Sequence, residues 1–77
     1  MKTVTMISKD DCSLCDKALD KLEQIKKDTP FHLAVKKIEP GTAEYEKYKE
    51  KIPVVLVEGM EVFYYEVDEK ALRSIVS

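Results

Sequence analysis

The chain is short of most of the features that announce a function. In 77 residues it holds only two cysteines and one histidine. It has no charge excess, because 13 Lys and Arg stand against 15 Asp and Glu for a net charge of −2. Near neutrality gives no electrostatic case for nucleic acid or an anionic membrane as a main partner. No apolar run approaches the roughly 20 residues that a membrane span needs. Met1, Lys2, Thr3 and Val4 lead into no hydrophobic region with a small-residue cleavage site, so secretion is not expected. There is no internal repeat, low-complexity tract or linker, and residues 1–77 read as one domain. A chain of this length has no room for a deep cofactor cavity. At 44% hydrophobic and 36% charged, the composition is that of an ordered globule, not a disordered tail.

The two cysteines are Cys12 and Cys15, spaced C-x-x-C. A bridge across two residues restrains little of the unfolded chain, so a purely structural disulfide is a poor explanation. Closed structural zinc coordination takes four ligands, and the one other soft donor of the usual kind is His32. Redox chemistry and the handling of a soft metal remain as the two readings.

Hydrophobic periodicity places the pair in the fold. Thr3 to Ser8 is rich in strand formers and is followed by the polar turn Lys9-Asp10-Asp11. From Cys12 the period changes: Leu14, Ala18, Leu22 and Ile25 recur at helical spacing. That helix is expected to end near Asp28, because Pro30 disfavours helical geometry at Thr29. Phe31, Leu33 and Val35 alternate as a second strand. Thr42 caps a short helix, with Ala43, Tyr45 and Tyr48 as its apolar side. Val54 to Val57 is a continuous apolar run typical of a buried strand. Glu58-Gly59 makes a two-residue hairpin loop, and Met60 to Tyr65 is the returning strand. Asp68 caps a last helix that buries Ala71, Leu72, Ile75 and Val76. The predicted order is β-α-β-α-β-β-α, with a parallel βαβ start and a closing hairpin. An α/β fold follows, with a four-stranded mixed sheet between helices in three layers.

In that order the cysteines sit where the first strand meets the first helix. A helix N-terminus carries unpaired N–H groups and partial positive charge. It favours the Cys12 thiolate, which is the nucleophilic form. Cys15, one turn on, is placed to attack a mixed disulfide formed on Cys12. Lys9 and Lys17 reinforce the thiolate, whereas Asp10, Asp11 and Asp16 oppose it.

Ser8-Lys9-Asp10-Asp11-Cys12-Ser13-Leu14-Cys15 resembles the S-K-x-x-C-x-x-C segment of glutaredoxins. Ile52-Pro53-Val54-Val55 is similar to the V-P-x-[VI] segment of the same family, and the likeness covers essentially the whole chain. The resemblance implies a thioredoxin-like (glutaredoxin-like) α/β/α fold and thiol–disulfide exchange through Cys12 as nucleophile and Cys15 as resolving thiol. It implies a cis Pro53 that turns the backbone of Ile52 towards an extended substrate, with Ser13 and Leu14 also lining the site. The other possibility is that Pro53 merely opens a strand, where proline is tolerated. The resemblance further implies that Lys9 and Asp68 meet the charged ends of glutathione. The family's paired glycines are replaced here by Tyr64 and Tyr65, and that bulk predicts poor use of glutathione. A dithiol or a thioredoxin-reductase-type flavoprotein is then the expected reductant. The expected substrate is a disulfide-containing protein, met by a monomer in the cytoplasm, with no resident cofactor or metal.

The remaining candidates have plainer readings. His32 falls on the polar phase of its strand and reads as a solvated side chain. The tyrosines read as amphipathic packing, because no basic groove accompanies them. Asp16 reads as first-turn helix stabilisation. Lys51 lies in a solvated charge run, two residues before Pro53, and can reach the substrate groove. The rival from another class is a copper carrier, since soft thiolates suit monovalent copper. Such carriers run β-α-β-β-α-β and end on a strand, whereas this pattern ends on a helix. A second rival is an interaction module with a vestigial dithiol.

Overall fold

The computed structural model describes residues 1–77. The elements are β1 (Thr3–Ser8), α1 (Ser13–Asp28), β2 (His32–Lys37), α2 (Ala43–Tyr48), β3 (Val54–Val57), β4 (Met60–Tyr64) and α3 (Glu69–Val76). Their order is the one that the hydrophobic periodicity predicts. The sheet runs β2-β1-β3-β4. β2 is parallel to β1, β3 is antiparallel to β1, and β4 returns antiparallel to β3.

Register decides which side chains share a face, because successive strand residues point to opposite sides. Val4 and Met6 of β1 lie opposite Val57 and Val55 of β3, and all four are buried. α1 and α3 pack side by side, with Lys21 donating to the Val67 carbonyl at 3.0 Å. Arg73 of α3 reaches Thr29 Oγ1 and Asp28, each at 3.2 Å. The other face carries Ile7 opposite Val54, both buried. α2 meets that side through the Glu44–Lys36 ion pair and the Tyr48–Glu61 hydrogen bond. The sheet is thus covered on both faces, two helices against one.

Three details depart from the periodicity reading. The buried stripe of α1 is Cys15, Ala18, Leu22 and Ile25, while Leu14 is 42% exposed. Cys15 at spacing three from Ala18 fills the place expected of Leu14, so the pair's intervening dipeptide faces outward. β2 is an edge strand, and of Leu33 and Val35 the first is half-buried and the second exposed. β4 stops at Tyr64, because Tyr65 turns to φ +67°. Opposite the Val55–Leu56 step of β3, Val62 of β4 has no paired partner, an irregularity of the bulge type.

The termini of the helices follow their chemistry. Cys12 is the N-cap of α1, Thr42 of α2 and Asp68 of α3, each accepting an N–H from three residues on. At the C-terminus of α1 the Thr29 amide still reaches the Ile25 carbonyl at 2.8 Å, and Pro30 can add no further N–H.

Candidate active site

The sheet register brings the sequence's candidate residues to one end. Ile7 pairs with Val54, and Val54 pairs with Tyr64. Ser8 at the end of β1, Pro53 before β3 and Tyr65 after β4 therefore lie at about the same level. The β1–α1 turn that carries Cys12, the α2–β3 loop that carries Ile52-Pro53, and the β4–α3 turn all emerge at this edge.

Cys12 adopts extended backbone geometry, φ −120° and ψ 101°, immediately before α1. Its Sγ accepts the Cys15 backbone N–H at 3.2 Å, and its carbonyl accepts from the Asp16 amide at 3.2 Å. The sulfur thus occupies the cap position that serine, threonine or aspartate commonly fills. Asp11 before it takes φ +54°, a left-handed conformation that Asp tolerates better than most residues. Cys12 and Cys15 are joined as a disulfide, with their Cα atoms 5.2 Å apart. They differ in access: Cys15 is 3% exposed and belongs to the core, whereas Cys12 packs at its margin and is only half-buried. One turn of helix accounts for the difference, since Cys15 lies on the sheet-facing stripe and Cys12 precedes it at the open end.

The Ile52–Pro53 peptide bond is cis. Both residues are buried, so the loop's inner end is seated in the core. The loop is tied to the end of β4. The Tyr65 amide donates to the Pro53 carbonyl at 2.9 Å, and the Tyr65 hydroxyl donates to the Glu50 carbonyl at 2.6 Å. Tyr64, one residue earlier, points the other way. Its hydroxyl donates to Glu61 at 2.6 Å, and the Lys51 ammonium lies over its ring at 5.3 Å. Glu61 also accepts from Tyr48 at 3.3 Å. The Tyr64 hydrogen bond holds the Glu61 carboxyl below its ordinary 4.5, against the opposing effect of desolvation and with further help from Tyr48. The same bond raises the Tyr64 phenol above its ordinary 10.0.

Two recesses flank the start of α1. One, of about 330 Å³, touches both cysteines and is walled by Ser8, Lys9, Asp16 and Val35. The other, of about 290 Å³, lies between Leu14, Lys17 and Lys21 of α1 and Tyr65 to Val67 of the β4–α3 turn. Lys9 therefore lies beside the dithiol on one side and Leu14 opens the groove on the other. Ser13 is exposed in the first turn of α1. Asp68 stands apart from both recesses as the cap of α3, its Oδ1 accepting from the Ala71 amide at 3.0 Å. His32 is exposed on the edge strand, and Lys51 leans on Tyr64. Periodicity gave no sign of the Tyr65 brace or of Glu61 as a hub for two tyrosines. The one available signal was the pair of tyrosines standing where the related pattern has glycines, one of which, Tyr65, takes the positive φ that glycine adopts most readily.

Comparison with known proteins agrees with this geometry. Three solved structures share the fold. Protein Ne2328 from Nitrosomonas europaea, solved by NMR, is 22% identical with a TM-score of 0.85, over 99% of this chain and 92% of that one. A structural-genomics target from X. campestris is 27% identical with a TM-score of 0.76, over 94% and 92%. A mutant thioredoxin from Halobacterium salinarum is 20% identical with a TM-score of 0.63, over 97% and 71%. No curated protein matches the chain in sequence. The family described as "Glutaredoxin-like domain (DUF836)" matches residues 3–77. With a C-x-x-C pair at disulfide distance on a thioredoxin-like scaffold, the chain belongs to this glutaredoxin-like family.

Proposed function

We propose that the protein is a thiol–disulfide oxidoreductase in which Cys12 attacks and Cys15 resolves. The observation that carries this reading is the disulfide pair at the start of α1, one sulfur at the open helix end and the other in the core. In the reduced protein the Cys12 thiolate attacks one sulfur of a substrate disulfide. A Cys12–substrate bond forms, the substrate S–S bond breaks, and the departing sulfur leaves as a thiolate that takes a proton from water. Cys15, deprotonated, then attacks Cys12 Sγ and releases the second substrate sulfur as a thiol. The substrate gains two electrons and two protons, and the protein is left as the disulfide. The unpaired N–H groups of the first turn favour the Cys12 thiolate as nucleophile and as leaving group.

Substrate binding falls to Ser13, Leu14 and the Ile52-Pro53 loop, with Lys9 as the charged contact beside the dithiol; Asp68 is engaged in capping α3. Ile52 and Pro53 are seated in the core, which holds the loop at the sheet end from which the dithiol also emerges. The partner is a disulfide-bearing protein, in a compartment such as the cytoplasm where thiols are held reduced. A dithiol or a thioredoxin-reductase-type flavoprotein returns the pair to the thiol state. The copper-carrier reading has less support, because those carriers run β-α-β-β-α-β, whereas here α2 stands between β2 and β3.

A redox titration with mass readout tests the proposal. A single two-electron transition that adds two hydrogens is expected, together with disulfide reduction by the recycled protein. Absence of any such transition within the biological range of potentials would refute it.

A further inference from the structure

We infer that Tyr65 is a positioning residue for substrate: it braces the α2–β3 loop from across the sheet end and so sets how well extended disulfide substrates bind. This inference rests on the oxidoreductase reading above.

Tyr65 touches the loop twice. Its hydroxyl donates to the Glu50 carbonyl at 2.6 Å and its amide to the Pro53 carbonyl at 2.9 Å. The two bonds bracket residues 50–53, the segment that emerges at the same end of the sheet as the dithiol. The far end of the loop is anchored by the buried Ile52 and Pro53, and its near end is the part the brace holds. Glu50 and Lys51 are exposed, and its own internal tie is the Lys51 amide to the Tyr48 carbonyl at 2.8 Å. The brace is held in an uncommon conformation. Tyr65 sits at φ +67°, where a non-glycine residue costs on the order of 1 kcal/mol, and such outliers persist where surrounding contacts over-determine them. The ring is half exposed and forms the wall of the groove opposite Leu14. One side chain thus fixes the backbone on which an extended substrate would lie and narrows the approach past Leu14. A small disulfide needs neither the loop backbone nor the groove, so the brace discriminates by substrate length.

The test compares wild type, Tyr65→Phe and Tyr65→Gly on two substrates under dithiothreitol recycling: an extended peptide disulfide and the small disulfide of mercaptoethanol. Tyr65→Phe keeps the ring and removes only the hydroxyl bond. It is expected to raise KM for the peptide about two- to tenfold, the range of one net hydrogen bond. The kcat for the peptide and both constants for the small disulfide should stay put. Tyr65→Gly adopts the positive φ freely and removes ring and hydroxyl together, so its peptide KM should rise at least as far. Amide hydrogen exchange at Lys51 should quicken in both variants while β1 keeps its protection. An unchanged peptide KM in both variants overturns the inference. So does an equal loss of kcat on both substrates, which would place Tyr65 in the chemistry rather than in positioning. If wild type reduces neither substrate, it is the oxidoreductase reading that fails, while hydrogen exchange still reports whether the brace holds the loop.

Discussion

Cys12 caps α1 and in the proposed function is also the nucleophile, and a pair of substitutions pulls the two tasks apart. In the structure its Sγ receives the Cys15 amide at 3.2 Å at the start of a 16-residue helix. Serine in the same place offers a better acceptor than sulfur at nearly the same reach, and alanine offers none. Exchanging a good N-cap for alanine costs about 1 kcal/mol. For a chain of 77 residues the unfolding entropy is roughly 0.16 kcal/mol/K. One cap is therefore worth about 6 °C in Tm. Melting is followed by circular dichroism in excess dithiothreitol, so that the wild-type bridge is open and does not enter the comparison. Cys12→Ser is expected to melt at or slightly above reduced wild type, and Cys12→Ala about 6 °C below Cys12→Ser. Disulfide exchange should vanish in both. Residual exchange in Cys12→Ser would refute its role as nucleophile. Equal Tm values for the serine and alanine variants would refute the capping account of why a cysteine at this position is structurally tolerated.

Three further outcomes are expected. Iodoacetamide at neutral pH should label Cys12 of the reduced protein before Cys15, and Cys15→Ser should accumulate a mixed disulfide on Cys12; peptide mapping showing Cys15 labelled first would reverse the roles. Turnover with glutathione and glutathione reductase should be poor beside turnover with a thioredoxin-reductase-type flavoprotein, because Tyr65 stands at the groove wall; a glutathione rate equal to that of ordinary glutaredoxins would show that the ring does not obstruct. Finally, Glu61→Gln should lower the urea midpoint at pH 7. The folded carboxyl titrates below its ordinary 4.5, so its stabilisation is present above that value and is lost as pH falls through the folded one. The gap to wild type should therefore close as the pH falls below 4.5, and a gap that stays constant throughout acidification would exclude the Tyr64–Glu61 bond as its source.

Local chemistry determined much of this protein from the sequence alone. Element order follows from period changes at Cys12 and Phe31, from the caps Thr42 and Asp68, and from the Glu58-Gly59 loop, because each depends on residues a few positions apart. The place of the C-x-x-C at a helix start was legible for the same reason. Tertiary structure decided the matters that need two distant segments. Leu14 and Cys15 are adjacent and both apolar, so periodicity admits either to the core; only the sheet's position beneath α1 buries Cys15 and turns Leu14 outward. Tyr64 and Tyr65 are identical in kind, yet strand alternation and a positive φ send one to Glu61 and the other to Glu50. That choice is made by the register of β4 on β3, which no local pattern encodes. Together with the register of β3 on β1 it sets the sulfur pair, the Ile52-Pro53 loop and the Tyr65 brace at one end of the sheet.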